Sequence, residues 1–244
     1  MPHPCSARTA VVMPVYNESA TVGAVLDAVR ENFDGWVVVV DDGSTDATSE
    51  LVAARSDVVL CMHGGNRGYG ASLRTGFAAA LELGATGVIT MDCDGQHEPR
   101  HISEFCDRLD SCGTDIISGS RYLPASAEGD TAPADRRSVN ERVTAMINAA
   151  TGWTLTDAFC GFKAYTANAL RAVAIDEPGY AMPLEFWARA HRAGLTVCEM
   201  PVERIYFDHD RSFGEHLDDP AARLAYYVSV WDRALAEGST GLEG

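Results

Sequence analysis

No two cysteines in this sequence have Cys-x-x-Cys spacing, no apolar run nears the roughly 18 residues of a membrane span, and positive charge is scarce. Each absence excludes something. The seven cysteines, Cys5, Cys61, Cys93, Cys106, Cys112, Cys160 and Cys198, are scattered and odd in number. That argues against a zinc site and against a disulfide framework. Several lie in apolar runs, where a free thiol packs as a small hydrophobe. The opening, Met1 to Arg8, has no apolar signal core. With 19 Lys and Arg against 35 Asp and Glu, the net charge is −16. That sign is wrong for gripping a nucleic-acid backbone and for simple adhesion to anionic lipid. A reducing cytoplasm is the expected location.

What is present is a globular chain of 244 residues with 46% hydrophobic and 22% charged side chains, ample for a buried core. The first half alternates strand and helix. Strands are expected at 10–15, 36–40, 58–62, 87–92 and 115–118. Helices are expected after Ser19, a candidate cap, near 46–55, from Gly70 to about Leu83, and from Pro99. Such alternation predicts a parallel sheet with helices on both faces and right-handed crossovers. Ligands then bind beyond the carboxyl ends of the strands, and the polar clusters at 16–18, 41–46 and 92–97 all fall there. After residue 120 the pattern changes. Residues 121–135 read as a loop, followed by helices near 136–150, 166–174, 182–193 and 220–236 and a strand at 195–202. No internal repeat is present. One domain is expected over 1–236, with a nucleotide-binding half at about 10–120, an acceptor half at about 121–236, and a frayed tail at 237–244.

The stretch Gly87 to His97 organises the rest. A buried strand runs into Asp92-Cys93-Asp94, where carboxylates at i and i+2 point the same way if the backbone is extended. Two acids side by side repel unless positive charge sits between them. Either this is a solvated turn, or the pair holds a hard divalent cation that also grips a substrate phosphate.

In order, the chain carries Pro14-Val-Tyr16-Asn17-Glu18, Asp41-Asp42-Gly43-Ser44-Thr45-Asp46, Asn66-Arg-Gly-Tyr-Gly70, Asp92-Cys-Asp94-Gly-Gln96-His97, Gly119-Ser120-Arg121-Tyr122 and Thr156-Asp157-Ala-Phe-Cys-Gly161-Phe162-Lys163. This ordered set resembles the family 2 glycosyltransferases of GT-A fold, an α/β architecture with a Rossmann-like, mostly parallel sheet. Within them it is similar to the dolichyl-phosphate (polyprenyl-phosphate) mannose synthase branch. The resemblance covers about residues 10–217. It implies that Pro14, Tyr16, Glu18, Val40 and Asp42 line the nucleoside of a donor such as GDP-mannose or UDP-glucose. It implies that Asp92, Asp94 and Gln96 hold Mg²⁺ or Mn²⁺. It also implies that Arg121 and Arg136, with Arg137 adjacent, grip the phosphate of a polyprenyl-phosphate acceptor, and that Arg211 lies near the diphosphate. Asp94, Arg121 and Arg136 are the catalytic positions it carries over. Cys93, where the family usually has alanine, belongs to the substrate-binding set. Gly68 and Gly70 either let the chain pass close to the ligand or make a turn. Asp46 is read as a helix N-terminal residue favoured by the dipole, and His97 as a surface histidine on a loop.

The implied reaction is inverting displacement at the anomeric carbon. A phosphate monoester has its second pKa near ~6 and is largely dianionic at neutral pH, so it needs no general base. Besides Cys93, two features depart from the pattern. The family usually reads Gly-x-Ser-Lys after the last arginine, and here it is Gly214-Glu215-His216-Leu217. No membrane hairpin follows, so a lipid acceptor is expected to be reached by peripheral docking at the inner face of the membrane or through a membrane partner. Oligomeric state stays open, a homo-oligomer included. The competing reading is a glycosyltransferase acting on a hydroxyl, which wants a base, with Asp157 or Glu185 as candidates. A non-catalytic relative is disfavoured by the intact acidic triplet. A nucleotidyltransferase is disfavoured because no glycine-rich basic loop follows the first strand.

Overall fold

The computed structural model describes residues 8–124, 133–205 and 217–237. Arg211, Gly214-Glu215-His216, the middle of the 121–135 loop and the tail after Glu237 lie outside the described residues. Seven strands form a sheet in the order β3-β2-β1-β4-β6-β5-β7. They are β1 (Thr9–Val15), β2 (Trp36–Asp41), β3 (Val59–Met62), β4 (Gly87–Thr90), β5 (Ile116–Ser120), β6 (Lys163–Thr166) and β7 (Val197–Pro201). Helices α1 (Val22–Asn32), α2 (Thr48–Ala53), α3 (Tyr69–Glu82) and α4 (Ile102–Ser111) alternate with the first five strands, as expected. Helices α5 (Ala134–Thr151), α6 (Ala167–Ala172), α7 (Met182–Arg192) and α8 (Pro220–Ala236) follow. The sheet is mostly parallel. The exception is β6, which runs antiparallel to both β4 and β5. Its direction was not readable from alternation, because α5 packs on α7 and α8 instead of closing a β-α-β crossover. Among the described residues no helix is long and apolar enough to cross a membrane.

The strand periodicity builds two cores. On one face Val12, Val38, Val40 and Val88 meet α3, α5, α7 and α8. On the other, Val11, Met13, Val37, Val39 and Ile89 meet α1 and α4. Successive residues point to opposite faces, so strands apolar at every position are those covered on both sides. Helix α1 buries Val22, Leu26 and Val29 at helical spacing and ends with Arg30 donating to the Gly35 carbonyl at 2.8 Å. Ser19 is not its cap. Thr21 holds the N-cap position, and the Ser19 backbone N–H donates to Asp46 instead, at 3.1 Å. The apolar stripe of α8 is core, as expected, with Tyr227 and Trp231 buried. The six described cysteines are free thiols.

Register places the site. Val15 pairs with Asp41 and Val12 with Thr90, so β1, β2 and β4 end at one edge. The loop after β3 is held there by a segment from the second half of the chain. A Cβ on Gly68 would sit 2.3 Å from the Pro178 carbonyl oxygen, and one on Gly70 would sit 2.2 Å from that of Glu177. The Ala71 N–H donates to Pro178 at 3.1 Å. Both glycines therefore serve a close backbone approach within the protein. For Gly70→Ala, helix propensity favours the variant by about 1 kcal/mol, but overpacking against a fixed carbonyl costs about 3 kcal/mol. Urea denaturation should show Gly70→Ala less stable by about 2 kcal/mol. A variant more stable than the parent would show that the 177–179 segment yields.

Candidate active site

The strand ends open into a cavity of about 980 Å³ whose wall includes Pro14, Tyr16, Glu18, Asp42, Asp92, Cys93, Asp94, Gln96, Arg121 and Arg136. Most of the residues expected at the site therefore share one space. At one end, Asn17 sits at φ +56°, a conformation asparagine tolerates, and accepts from the Thr45 N–H at 2.8 Å. The Asn17 N–H donates to the Ser44 hydroxyl at 3.0 Å, so the turns after β1 and β2 are tied together. Asp46 accepts from the Thr48 and Ser19 backbone N–H groups and is an anchor at the start of α2, as read. Asp42 is buried, accepting from the Arg67 and Gly68 N–H groups at 2.9 and 2.8 Å and facing His63 Nδ1 at 2.6 Å. It thereby fixes the 66–68 loop around the cavity it lines. Val40 differs from its expected role: its side chain is fully buried against α3 and is not part of the cavity wall.

Beyond β4 the chain turns through Asp92, Asp94 and Gln96, all three on the cavity wall. Asp92 Oδ1 accepts from the Tyr69 hydroxyl at 3.2 Å, and Asp94 Oδ1 accepts from the Gln96 N–H at 3.0 Å. Among the described residues no cluster of three or more His, Cys, Asp or Glu is placed to hold a metal. The donors this turn offers are thus two carboxylates and Gln96, all on the cavity wall. That set fits Mg²⁺ or Mn²⁺ of the kind that completes its shell with water and substrate phosphate. His97 corrects the expectation of a surface histidine. It is buried, stacks on Phe162 at 5.1 Å, and its Nδ1 accepts from the Asp92 N–H at 3.0 Å. Cys93 is buried beside these acids, and burial pushes its thiol pKa well up.

The same cavity wall carries arginines. Arg121 donates through Nε and Nη2 to the two oxygens of Asp157, at 2.7 and 3.0 Å. Asp157 is 0% exposed and also accepts from Asn140 Nδ2 at 2.9 Å and from the Phe159 N–H at 3.2 Å. Burial alone would raise its pKa, but the Arg121 guanidinium outweighs it and holds the value at about 2. Glu199 on β7 accepts from the Thr156 and Asp157 N–H groups at 2.9 and 3.1 Å, fixing this loop from behind. Arg136, on the first turn of α5, lines the cavity; Arg137 does not, being exposed and paired with Glu141 at 2.8 Å. Neither candidate base reaches the cavity. Asp157 is committed to Arg121. Glu185, 2% exposed, accepts from the Asp176 and Glu177 N–H groups at 2.9 and 2.8 Å and pairs with Arg189.

Several wall residues carried no assigned role in the sequence. Lys163 lies 5.4 Å from the Trp187 ring centroid and donates to the Cys160 carbonyl, and burial pushes its pKa down. Arg223 on α8 is buried with Asp135 at 2.8 Å. Tyr69 and Lys163 each stood inside a quoted motif, which was the available signal. Arg223 had none, since one arginine in an amphipathic helix reads as surface.

Comparison with known proteins agrees with this geometry. The family described as glycosyl transferase family 2 matches residues 10–173. The chain is 31% identical over 204 residues to the polyprenol monophosphomannose synthase of Mycolicibacterium smegmatis, covering 80% of this chain and 76% of that one. It is 30% identical over 219 residues to the undecaprenyl-phosphate mannosyltransferase of Micrococcus luteus, covering 85% and 86%. A crystal structure of glucosyl-3-phosphoglycerate synthase from Mycobacterium tuberculosis, in complex with Mn²⁺, UDP and glucosyl-3-phosphoglycerate, superposes with a TM-score of 0.71 at 19% identity. It covers 94% of this chain and 80% of that one. That likeness shows the fold, which is GT-A.

The buried pair has a pH signature. Asp157 falls from its ordinary 3.8 to about 2 on folding. Its contribution is therefore full above pH ~4 and is lost as pH falls toward ~2, about 2 kcal/mol in all. Asp157→Asn should be less stable than the parent at pH 7 by at least that amount, because Arg121 loses its counter-charge. The gap should narrow by about 2 kcal/mol as pH falls from ~4 through ~2 in chemical denaturation. A gap constant across that range would mean that the Asp157 charge is not held by Arg121.

Proposed function

Because the chain belongs to glycosyl transferase family 2, we propose that it transfers a hexose, with inversion, from a nucleotide-diphospho-sugar to a polyprenyl phosphate in a metal-dependent reaction. Mannose from GDP-mannose is the favoured donor, with UDP-glucose second. The observation that carries the acceptor class is the pairing of two facts at one cavity. Arg121 and Arg136 line it together with Asp92 and Asp94, while the two candidate bases, Asp157 and Glu185, are buried and not on its wall. A phosphate monoester supplies its own negative charge at neutral pH and needs guanidinium groups rather than a base. The names of the two relatives, for mannose and for polyprenol or undecaprenyl phosphate, support the same reading.

In this reading the nucleoside lies along Pro14, Tyr16, Glu18 and Asp42, and the diphosphate points toward Asp92, Asp94 and Gln96. A divalent ion held by those residues would offset charge on the departing diphosphate. Arg121 reaches the cavity with its orientation already fixed by Asp157, so little reorganisation is needed when a phosphate arrives. Arg136 approaches from the first turn of α5. A phosphate oxygen held by the two arginines attacks the anomeric carbon, the bond to the diphosphate breaks, and configuration inverts. No proton changes hands. Tyr122, beside both Arg121 and Arg204 at 5.9 and 5.7 Å from their guanidinium carbons, keeps this wall packed.

The test uses sugar-labelled GDP-mannose or UDP-glucose with MnCl₂ and undecaprenyl phosphate in detergent micelles. Label should pass into the organic phase with one of the two donors, and EDTA should abolish transfer. Arg136→Ala should lower the rate about 100-fold, the scale of losing one preorganised donor, while donor affinity stays within about threefold. Transfer to water-soluble hydroxyl acceptors alone, or a rate indifferent to Arg136→Ala, would contradict the lipid-phosphate reading.

A further inference from the structure

Asp92 is held from three sides, and only one of those contacts follows from its own turn. His97 Nδ1 takes its backbone N–H. The Tyr69 hydroxyl donates to Oδ1 at 3.2 Å. Oδ2 lies so close to the Gly161 backbone that a Cβ there would sit 2.5 Å from it and 3.1 Å from the Tyr69 hydroxyl. The carboxylate is thus wedged between the start of α3 and the loop before β6.

Tyr69 is itself anchored at both ends. It is the first residue of α3, and the preceding Gly68 gives its N–H to Asp42 at 2.8 Å. Its ring stacks on Tyr180 at 6.1 Å with 20° between planes. The Tyr180 segment is in turn fixed by Glu177, which accepts from the Gly179 N–H at 3.1 Å and from Arg233 at 3.1 Å. The Tyr69 hydroxyl has the Asp92 carboxylate as its acceptor, which can only accept. Such a donor on Oδ1 limits rotation of the carboxylate and so fixes how its two oxygens are presented.

We infer that Tyr69 is a positioning residue for Asp92, orienting that carboxylate through its hydroxyl, with Gly161 as the opposing wall, so that the acidic turn meets a divalent ion preformed. The inference rests on the metal reading above and assigns a task to a residue that contributes no metal ligand. It also joins two ends of the site. Asp42, at the nucleoside end, and Asp92, at the diphosphate end, are linked through the adjacent residues Gly68 and Tyr69.

The experiment is calorimetric titration of UDP and of GDP into the whole chain, once in MnCl₂ and once in EDTA. The ratio of the two affinities is the metal-dependent gain, read without turnover. The parent should show a gain with at least one nucleotide, and Asp92→Asn should lose it. Tyr69→Phe keeps the ring stack and deletes only the hydroxyl. It should cut the gain by about tenfold, the scale of losing a group that orients a metal ligand, while its affinity in EDTA stays within about twofold of the parent. Gly161→Ala, pressing on Oδ2 from the other side, should do the same. A full gain in Tyr69→Phe overturns the proposal while leaving the metal reading intact. Equal weakening in both buffers makes Tyr69 merely structural and also overturns it. No gain in the parent with either nucleotide removes the metal reading, and the proposal with it.

Discussion

The pairing of Val15 with Asp41 and of Val12 with Thr90 decides where β1, β2 and β4 stop, and the site follows from that alignment. Parallel strands ending together leave turns whose backbone groups cannot all pair within the sheet. Here they are satisfied by side chains from neighbouring turns: Asn17 with Ser44 and Thr45, Asp42 with Arg67 and Gly68, Asp46 with Ser19 and Thr48. The same polar residues that close the turns line the cavity or back the residues that do. Shifting one strand by a residue would send its side chains to the opposite core and move its end out of line with its neighbours.

Charge is distributed with the same economy. The chain carries a net −16, yet Arg121, Arg136, Lys163 and Arg223 all face one cavity. The same wall carries Glu18, Asp42, Asp92 and Asp94, so the cavity brings both signs of charge together. The buried Arg121–Asp157 pair is not there chiefly for stability, since desolvation cancels much of the Coulomb gain. What it provides is a guanidinium whose direction is set before any ligand arrives. Asn140, Thr144 and Glu199 complete the hydrogen bonding around Asp157 and its loop, as a buried polar network requires.

Much of this was legible in the residues. Continuous apolar strands and short polar breaks were enough for the alternating half, because both signals are local. The acidic turn after β4 fell where the strand rule puts ligands. What escaped was non-local. The reversal of β6 depends on α5 lying against α7 and α8. The interior faces of Asn140 and Thr144 on α5 are polar because Asp157 sits opposite, which no helical period reveals. His97 looked exposed from its polar neighbours and is buried by Phe162. Gly68 and Gly70 stood in a motif that suggested ligand contact, and their reason is a carbonyl more than 100 residues away in the chain. Asp157 and Glu185 looked like available bases because sequence cannot show that their lone pairs are already used.

The central claim is that Asp92 and Asp94, at the carboxyl edge of the sheet, grip a divalent ion that grips the donor's diphosphate. Anomalous scattering from crystals grown with MnCl₂ and either GDP or UDP tests it most directly. The account predicts one manganese peak bonded to a carboxylate oxygen of Asp92 or Asp94 and to phosphate oxygens of the nucleotide. Nucleotide bound along Pro14 and Asp42 with no peak at that turn, or with manganese elsewhere, would contradict it.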